Sequence, residues 1–244
     1  MVTPLSWHTA PLKPKLEGHD IHVYHLDLSL FQNQTQELIC FLNSVEQEQA
    51  QNMAQTNKKN SFIITKSFLR KILSNYLDCS SQSIILDKTQ SGKPFLNSHH
   101  DLDIKFNLAH SHNKAILAFC LKTQIGIDLE KLRKVSRAQE ILAKHGLDEE
   151  INSFNTVPEK HKDEAFLRGW TRKEALIKAM GQKMATHAKQ YSVNFSLFPK
   201  NKILNNETTN KENQHWTLCD LTIEDYVGTV ALKRTLNNLS LWHV

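Results

Sequence analysis

Glycine is scarce in this sequence. Seven occur in 244 residues, about 3% against a usual level near 7%. No two lie closer than Gly169 and Gly181. There is therefore no G-x-G-x-x-G and no G-x-x-x-x-G-K-[ST], and both backbone phosphate loops are excluded. Any phosphate must be held by side chains or by a metal. Cysteine is also sparse. Cys40, Cys79, Cys120 and Cys219 stand far apart with no C-x-x-C, which argues against a zinc knuckle or a redox pair. No window approaches 18 apolar residues, and residues 1–20 hold no apolar run. Neither a membrane span nor a signal peptide is expected, and the cytoplasm is the default location. Strong charge of one sign is missing too. Thirty Lys and Arg against 25 Asp and Glu give a net charge of +5. That suits an anionic ligand or an acidic partner better than nucleic acid, which needs a dense basic stripe.

What is present is a 40% hydrophobic, 244-residue chain, enough for one large domain or two of about 120 residues. Residues 1–20 read as an irregular arm. Ile21–Leu28 alternates like a strand, 32–60 carries one or two amphipathic helices, and Phe62–Leu77 is a strongly apolar helix. A short strand at Ser83–Asp87 precedes a turn at 91–94. Paired strands follow at Ile104–Ala109 and Ala115–Leu121, then a strand at Ile125–Leu129. Arg137–Lys144 and Asp148–Phe154 are predicted helices, and Asp163–Met180 is a long one stopped by Gly181. Tyr191–Leu197, His215–Leu221 and Val227–Leu232 read as closing strands, with a polar, mobile hairpin loop predicted over Asn201–Gln214. The order strand, helices, long helix, strands occurs twice about a hundred residues apart. A duplicated α+β fold divided near Lys122–Gln124 is one reading, and a single α+β domain is the other.

Three stretches could carry chemistry. In Gln124–Glu130 (QIGIDLE), Ile125, Ile127 and Leu129 share one strand face, and Gly126, Asp128 and Glu130 share the other. Two carboxylates beside a glycine suit Mg²⁺ bound together with phosphate oxygens, although an isolated D-x-E is more often a solvated strand end. On the long helix Glu174 and Lys178 stand four residues apart on one face, with Lys173 adjacent. Alone this reads as a surface ion pair. The third stretch is the turn Gly92-Lys93-Pro94, followed by Phe106-Asn107-Leu108-Ala109-His110-Ser111-His112. It offers a fixed lysine charge and a strand-end histidine.

Taken together and in this order, the stretches resemble the 4′-phosphopantetheinyl transferases of the two-lobed, surfactin-synthetase-activating type. The family pattern runs G-K-P, F-N-x-S-H-S, (I/V)-G-(I/V)-D-(I/L)-E and W-(T/S)-x-K-E-(A/S)-x-x-K. Here it stands as Gly92-Lys93-Pro94, Phe106 to Ser111, Ile125 to Glu130 and Trp170 to Lys178, and the clear match covers 83–195. The resemblance implies two similar α/β lobes related by pseudo-twofold symmetry, 1–123 and 124–244, with the site at their junction. It implies transfer of the 4′-phosphopantetheine arm of coenzyme A to a serine of an apo acyl or peptidyl carrier protein, releasing 3′,5′-ADP. Asp128, Glu130 and Glu174 would ligate Mg²⁺, or Mn²⁺. Lys173 and Lys178 would pair with the pyrophosphate. Lys93, Pro94, Asn107 and His110 would hold the 3′-phosphoadenosine end, so that Lys93→Ala should mainly raise the KM for coenzyme A. Glu150, with Glu149 adjacent, best matches the family's base; a metal-bound water is the alternative. A monomer is expected, with no nucleic-acid or membrane partner.

The sequence departs from the pattern at Ala109, where the family has serine, and in the thin basic run before the first long helix, where only Lys58 and Lys59 precede Ser61. After Gly181 the family's G-x-G-L is replaced by Gln182-Lys183-Met184. Two other readings compete. An exonuclease of the D-E-D-D type also places D-x-E on a strand, but on its first strand. A non-catalytic paralogue that binds carrier protein is the other.

Overall fold

The computed structural model describes residues 6–197, 203–207, 215–233 and 238–244. In chain order the elements are β1 (Trp7–Thr9), β2 (Asp20–Asp27), α1 (Thr35–Leu38), α2 (Ser44–Gln51), α3 (Thr56–Leu77), β3 (Leu86–Lys88), β4 (Pro94–Leu96), β5 (Ile104–Ser111), β6 (Lys114–Leu121), β7 (Ile125–Lys131), α4 (Ala138–His145), α5 (Asp148–Asn155), α6 (Lys162–Ala179), α7 (Met184–His187), β8 (Ile203–Glu207), β9 (His215–Ile223), β10 (Tyr226–Leu232) and β11 (Asn238–His243). Short 3-10 turns flank α1 and precede α6.

Two sheets carry the fold. The first has the order β1-β11-β2-β6-β5 and the second β7-β10-β9-β8, with β3-β4 as a separate hairpin. Side-chain alternation explains the layering. In β6, Ala115, Leu117 and Phe119 meet Phe68, Leu69 and Leu73 of α3, while Ile116, Ala118 and Cys120 point the other way. There they meet Ile125, Ile127 and Leu129 of β7 and Val230 and Leu232 of β10. On the far side of the second sheet, Val227 and Ala231 pack with Phe166, Leu176 and Ala179 of α6. The layers therefore run α3, first sheet, second sheet, α6. Strands covered on both faces need apolar residues at every position, so β6 (KAILAFCL) shows no alternation.

The strands at Ile21–Leu28, the β5–β6 pair, β7, β9 and β10 appear where the sequence predicts them, as do α4, α5 and α6. Gly181 ends α6 as expected. At φ +69° it allows Gly181 N–H to donate to Lys178 O and Gln182 N–H to Ile177 O, both at 3.1 Å, the paired bonds of a Schellman cap. Other expectations are corrected. The arm contains β1, held parallel to β11. Residues 191–197 form no strand; they lie against α6, with Tyr191, Val193 and Phe195 in its core and Arg172 Nη1 taking the Asn194 and Ser196 carbonyls. The supposed 201–214 loop includes β8, paired with β9; its remaining residues lie outside those described. The strand at 238–243 is absent from the sequence reading. It returns the chain to the first sheet, parallel to β2.

Gly126 has a different use from the expected one. A Cβ there would lie 2.0 Å from Ala175 O and 2.5 Å from Ala179 N. The partner it admits is the backbone of α6, not a ligand. Gly126→Ala should therefore cost about 3 kcal/mol, the upper end for overpacking against atoms that cannot rotate away. Urea unfolding reads this directly, and native stability in the variant would contradict this seating of α6.

Candidate active site

Seating α6 on β7 brings Asp128 to Lys178, fifty residues away in sequence, and to Glu174 beside it. Asp128 is buried at 6% exposure, and its Oδ1 accepts from Lys178 Nζ at 2.6 Å. The same ammonium lies 3.7 Å from Glu174 Oε2, one turn earlier. Burial pushes the Asp128 carboxyl up to about 7; Lys178 opposes this, while the negative charges of Glu174 and Glu130 add to it. Burial disfavours the Lys178 ammonium, yet Asp128 and Glu174 outweigh it and hold its pKa above the ordinary lysine range. Glu130 is half-buried at the rim. Its Oε2 lies 3.3 Å from Ser111 Oγ and 3.6 Å from Arg133 Nη2.

Lys178 thus closes the Asp128–Glu174 pair, and Glu130 stands beside it with Arg133. Among the described residues no group of three or more His, Cys, Asp or Glu is gathered closely enough to hold a metal ion. The donor set nevertheless suits a hard cation. All three acids carry oxygen ligands, and burial is the main cause that raises the Asp128 carboxyl.

A cavity of about 480 Å³ opens between α3 and β5. Lys58, Ser61, Thr65, Lys66, His110 and His112 supply its polar lining, and Phe62 and Leu108 its apolar one. Ser111, between the two histidines in sequence, points to the other face of β5 and reaches Glu130 of β7. Lys66 escaped the sequence reading, and His112 ended the third stretch there without a role. The spacing 58, 61, 62, 65, 66 puts these residues on one helical face, which is the signal that could have found Lys66. His112 adopts φ +52° in the β5–β6 turn, which sequence does not show.

The other expected site residues lie elsewhere. Asn107 is 6% exposed, and its Oδ1 accepts from Ile127 N–H at 2.9 Å. Ser111 Oγ likewise accepts from Lys131 N–H at 3.1 Å. Since β7 is an edge strand, its outward N–H groups need partners, and side chains of β5 provide them. Asn107 is thus a strut between sheets. Asn107→Ala should cost about 1–3 kcal/mol, the penalty of a stranded buried donor, and leave the KM for coenzyme A unchanged. Denaturant titration beside steady-state kinetics separates the two effects.

Lys93 does not line the cavity either. Its Nζ donates to Ile125 O and Lys178 O, each at 2.8 Å, and burial brings its pKa down to about 8. Pro94 opens β4 beside it.

Lys173 and Glu150 form a closed pair. Lys173 Nζ, 1% exposed, donates to Glu150 Oε2 at 2.6 Å, Ala188 O at 2.8 Å and Tyr191 O at 3.2 Å. Glu150 also accepts from Leu147 N–H and Val193 N–H. With both carboxylate oxygens engaged and 1% exposure, Glu150 presents no free base. Lys173 presents no free charge to a pyrophosphate. Burial drives the Glu150 carboxyl up and the Lys173 ammonium down, each against the pull of its partner.

Two family models match the chain. One, described as the 4′-phosphopantetheinyl transferase superfamily, matches residues 124–231. The other, described as the 4′-phosphopantetheinyl transferase N-terminal region, matches 31–122. The chain is 32% identical over 181 residues to the 4′-phosphopantetheinyl transferase HetI of Nostoc sp., covering 74% of this chain and 76% of that protein. It is 25% identical over 182 residues to the 4′-phosphopantetheinyl transferase ffp of Bacillus subtilis, covering 71% and 75%. With the 4′-phosphopantetheinyl transferase gsp of Aneurinibacillus migulanus it shares 28% over 130 residues, 52% of each chain.

Proposed function

The chain belongs to the 4′-phosphopantetheinyl transferase family, and we propose that its two sheet-and-helix units are the pseudo-twofold lobes of the surfactin-synthetase-activating type. The lobes divide as 1–123 and 124–244, with β11 crossing back to complete the first. The protein is an enzyme that moves the phosphopantetheine arm of coenzyme A onto a carrier protein. One chain carries both lobes, so a monomer suffices. No helix among the described residues is long and apolar enough to cross a membrane, and the cytoplasm, where coenzyme A and carrier proteins meet, is the proposed location.

The observation that supports the site assignment is the convergence of Asp128 and Glu174 on the Lys178 ammonium where α6 seats on β7. The cavity takes the 3′-phosphoadenosine end. At about 480 Å³ it lies within the range of small-ligand sites. Lys58, Lys66 and His110 face the phosphates in place of the missing glycine loop and of the serine replaced by Ala109. Lys178 stands at the patch to pair with the pyrophosphate. Asp128, Glu130 and Glu174 are the residues that hold Mg²⁺ or Mn²⁺, which when bound supplies charge neutralisation at the pyrophosphate. The carrier serine oxygen forms a bond to the β-phosphorus, and the bond to 3′,5′-ADP breaks. The serine proton goes to the acidic patch or to a water it orients, since Glu150 is engaged internally.

Incubation with coenzyme A, Mg²⁺ and apo carrier protein should raise the carrier's mass by about 340 Da, the mass of one transferred arm under this transfer chemistry. No mass gain on any of several acyl and peptidyl carriers would defeat this reading.

A further inference from the structure

Lys93 is fixed by its turn. Its N–H donates to Thr89 Oγ1 at 3.1 Å and its carbonyl accepts from Thr89 N–H at 2.9 Å. From there the ammonium reaches two backbone carbonyls on two other elements. Ile125 O opens β7, three residues before Asp128. Lys178 O belongs to the residue whose own ammonium bonds Asp128. It also lies in the last turn of α6, where carbonyls lack helical partners and partial negative charge accumulates. Gly181 N–H donates to the same oxygen at 3.1 Å.

We propose that Lys93 is a positioning residue, a latch from the β3–β4 turn that fixes the end of α6 against the start of β7 and so sets Lys178 against Asp128. The inference rests on the transferase reading above. A charge aimed at bound coenzyme A would point into the cavity, and Lys93 is absent from its lining. It is instead the one side chain whose Nζ touches both elements of the acidic patch through their backbones, among the described hydrogen bonds. Without it the two carbonyls lose a charged donor, and the last turn of α6 is free to shift along β7.

Lys93→Met keeps the length and removes the donor. The expected result is a fall in kcat of about tenfold or more, the effect of a small misplacement at a reacting centre, with the KM for coenzyme A within twofold of native. Amide exchange should quicken at 178–182 and at 125–127 in the variant, while the rest of α6 keeps its protection. Lys93→Arg, which retains a donating head group, should recover most of kcat and of that protection. A raised KM with unchanged kcat in Lys93→Met would make Lys93 a coenzyme A contact and overturn the latch. Unchanged kcat and exchange would overturn it as well. Should Lys93→Met not fold, Lys93→Arg decides: a folded Arg variant with native exchange but lost kcat overturns the proposal, and native values of both support it. Native protein assayed alongside separates the two readings, because a native chain that modifies no carrier defeats the transferase assignment and not the latch.

Discussion

Asp128→Ala and Glu174→Ala should each lower the rate of phosphopantetheine transfer by about 10²–10³-fold or more, the scale of removing one preorganised charge from a reaction centre, while the chain stays folded. The fold argument comes from the patch itself. Asp128 and Glu174 share the Lys178 ammonium, so removing one acid relieves repulsion as well as breaking a contact. If Asp128 is lost, Lys178 still has Glu174 at 3.7 Å; if Glu174 is lost, it keeps Asp128 at 2.6 Å. Asp128→Asn gives a sharper test through pH. Burial holds the Asp128 carboxyl at about 7 in the fold, against an ordinary value of 3.8. A carboxyl raised in the folded state favours folding at low pH and loses that advantage as pH rises through its folded pKa. The asparagine variant has no such dependence. Its unfolding free energy should therefore gain on the native protein between about pH 4 and pH 7 and run parallel above, as denaturant titrations at several pH values will read. Near-native transfer by either alanine variant would remove that acid from the site.

Lys173→Met should destabilise the protein by about 3–5 kcal/mol, because it strands a buried charge. Glu150 is 1% exposed, and without Lys173 it keeps only the Leu147 and Val193 N–H groups. The Ala188 and Tyr191 carbonyls lose their donor at the same time. The double variant Lys173→Met/Glu150→Leu should recover much of the loss, since removing both partners of a buried pair costs far less than removing one. Chemical denaturation of the three proteins measures the coupling. A single variant within about 1 kcal/mol of native, with a raised KM for coenzyme A, would return Lys173 to the pyrophosphate.

The difference between Lys173 and Lys178 shows where sequence reading stops. Both lysines flank Glu174 within one motif, and both are natural candidates for phosphate. Five residues on a helix turn a side chain by well over a full revolution, 500° at 3.6 residues per turn, so the two point about 140° apart. Lys178 meets the strand acid and Lys173 meets α5. The helical period alone separates them, but only the packing of 188–193 beneath α6 reveals which side is sealed. Asn107 and Lys93 have the same lesson. Asn107 is a polar residue in the middle of β5 and Lys93 one in a turn, and both bond backbone groups of other elements. The 191–197 segment alternates like a strand, yet Arg172 takes its carbonyls and α6 takes its apolar side chains, leaving no ladder to join.

By itself the sequence determined the family, the strand and helix order through most of the chain and the Gly181 cap, and it singled out the three acids with Lys178 as the centre proposed above. These follow from local rules: side-chain alternation, helical spacing, left-handed glycine, and motif order. Only the tertiary structure decided what those residues touch. It closed the first sheet with β11 from the far end of the chain, gave Gly126 to the backbone of α6, paired Lys173 with Glu150, and turned Asn107 and Lys93 into ties to the buried edge strand β7. Each is a contact between segments tens to hundreds of residues apart. Each is set by buried backbone groups that must find partners wherever the folded chain brings a donor within reach, and no local pattern in the sequence records that distance.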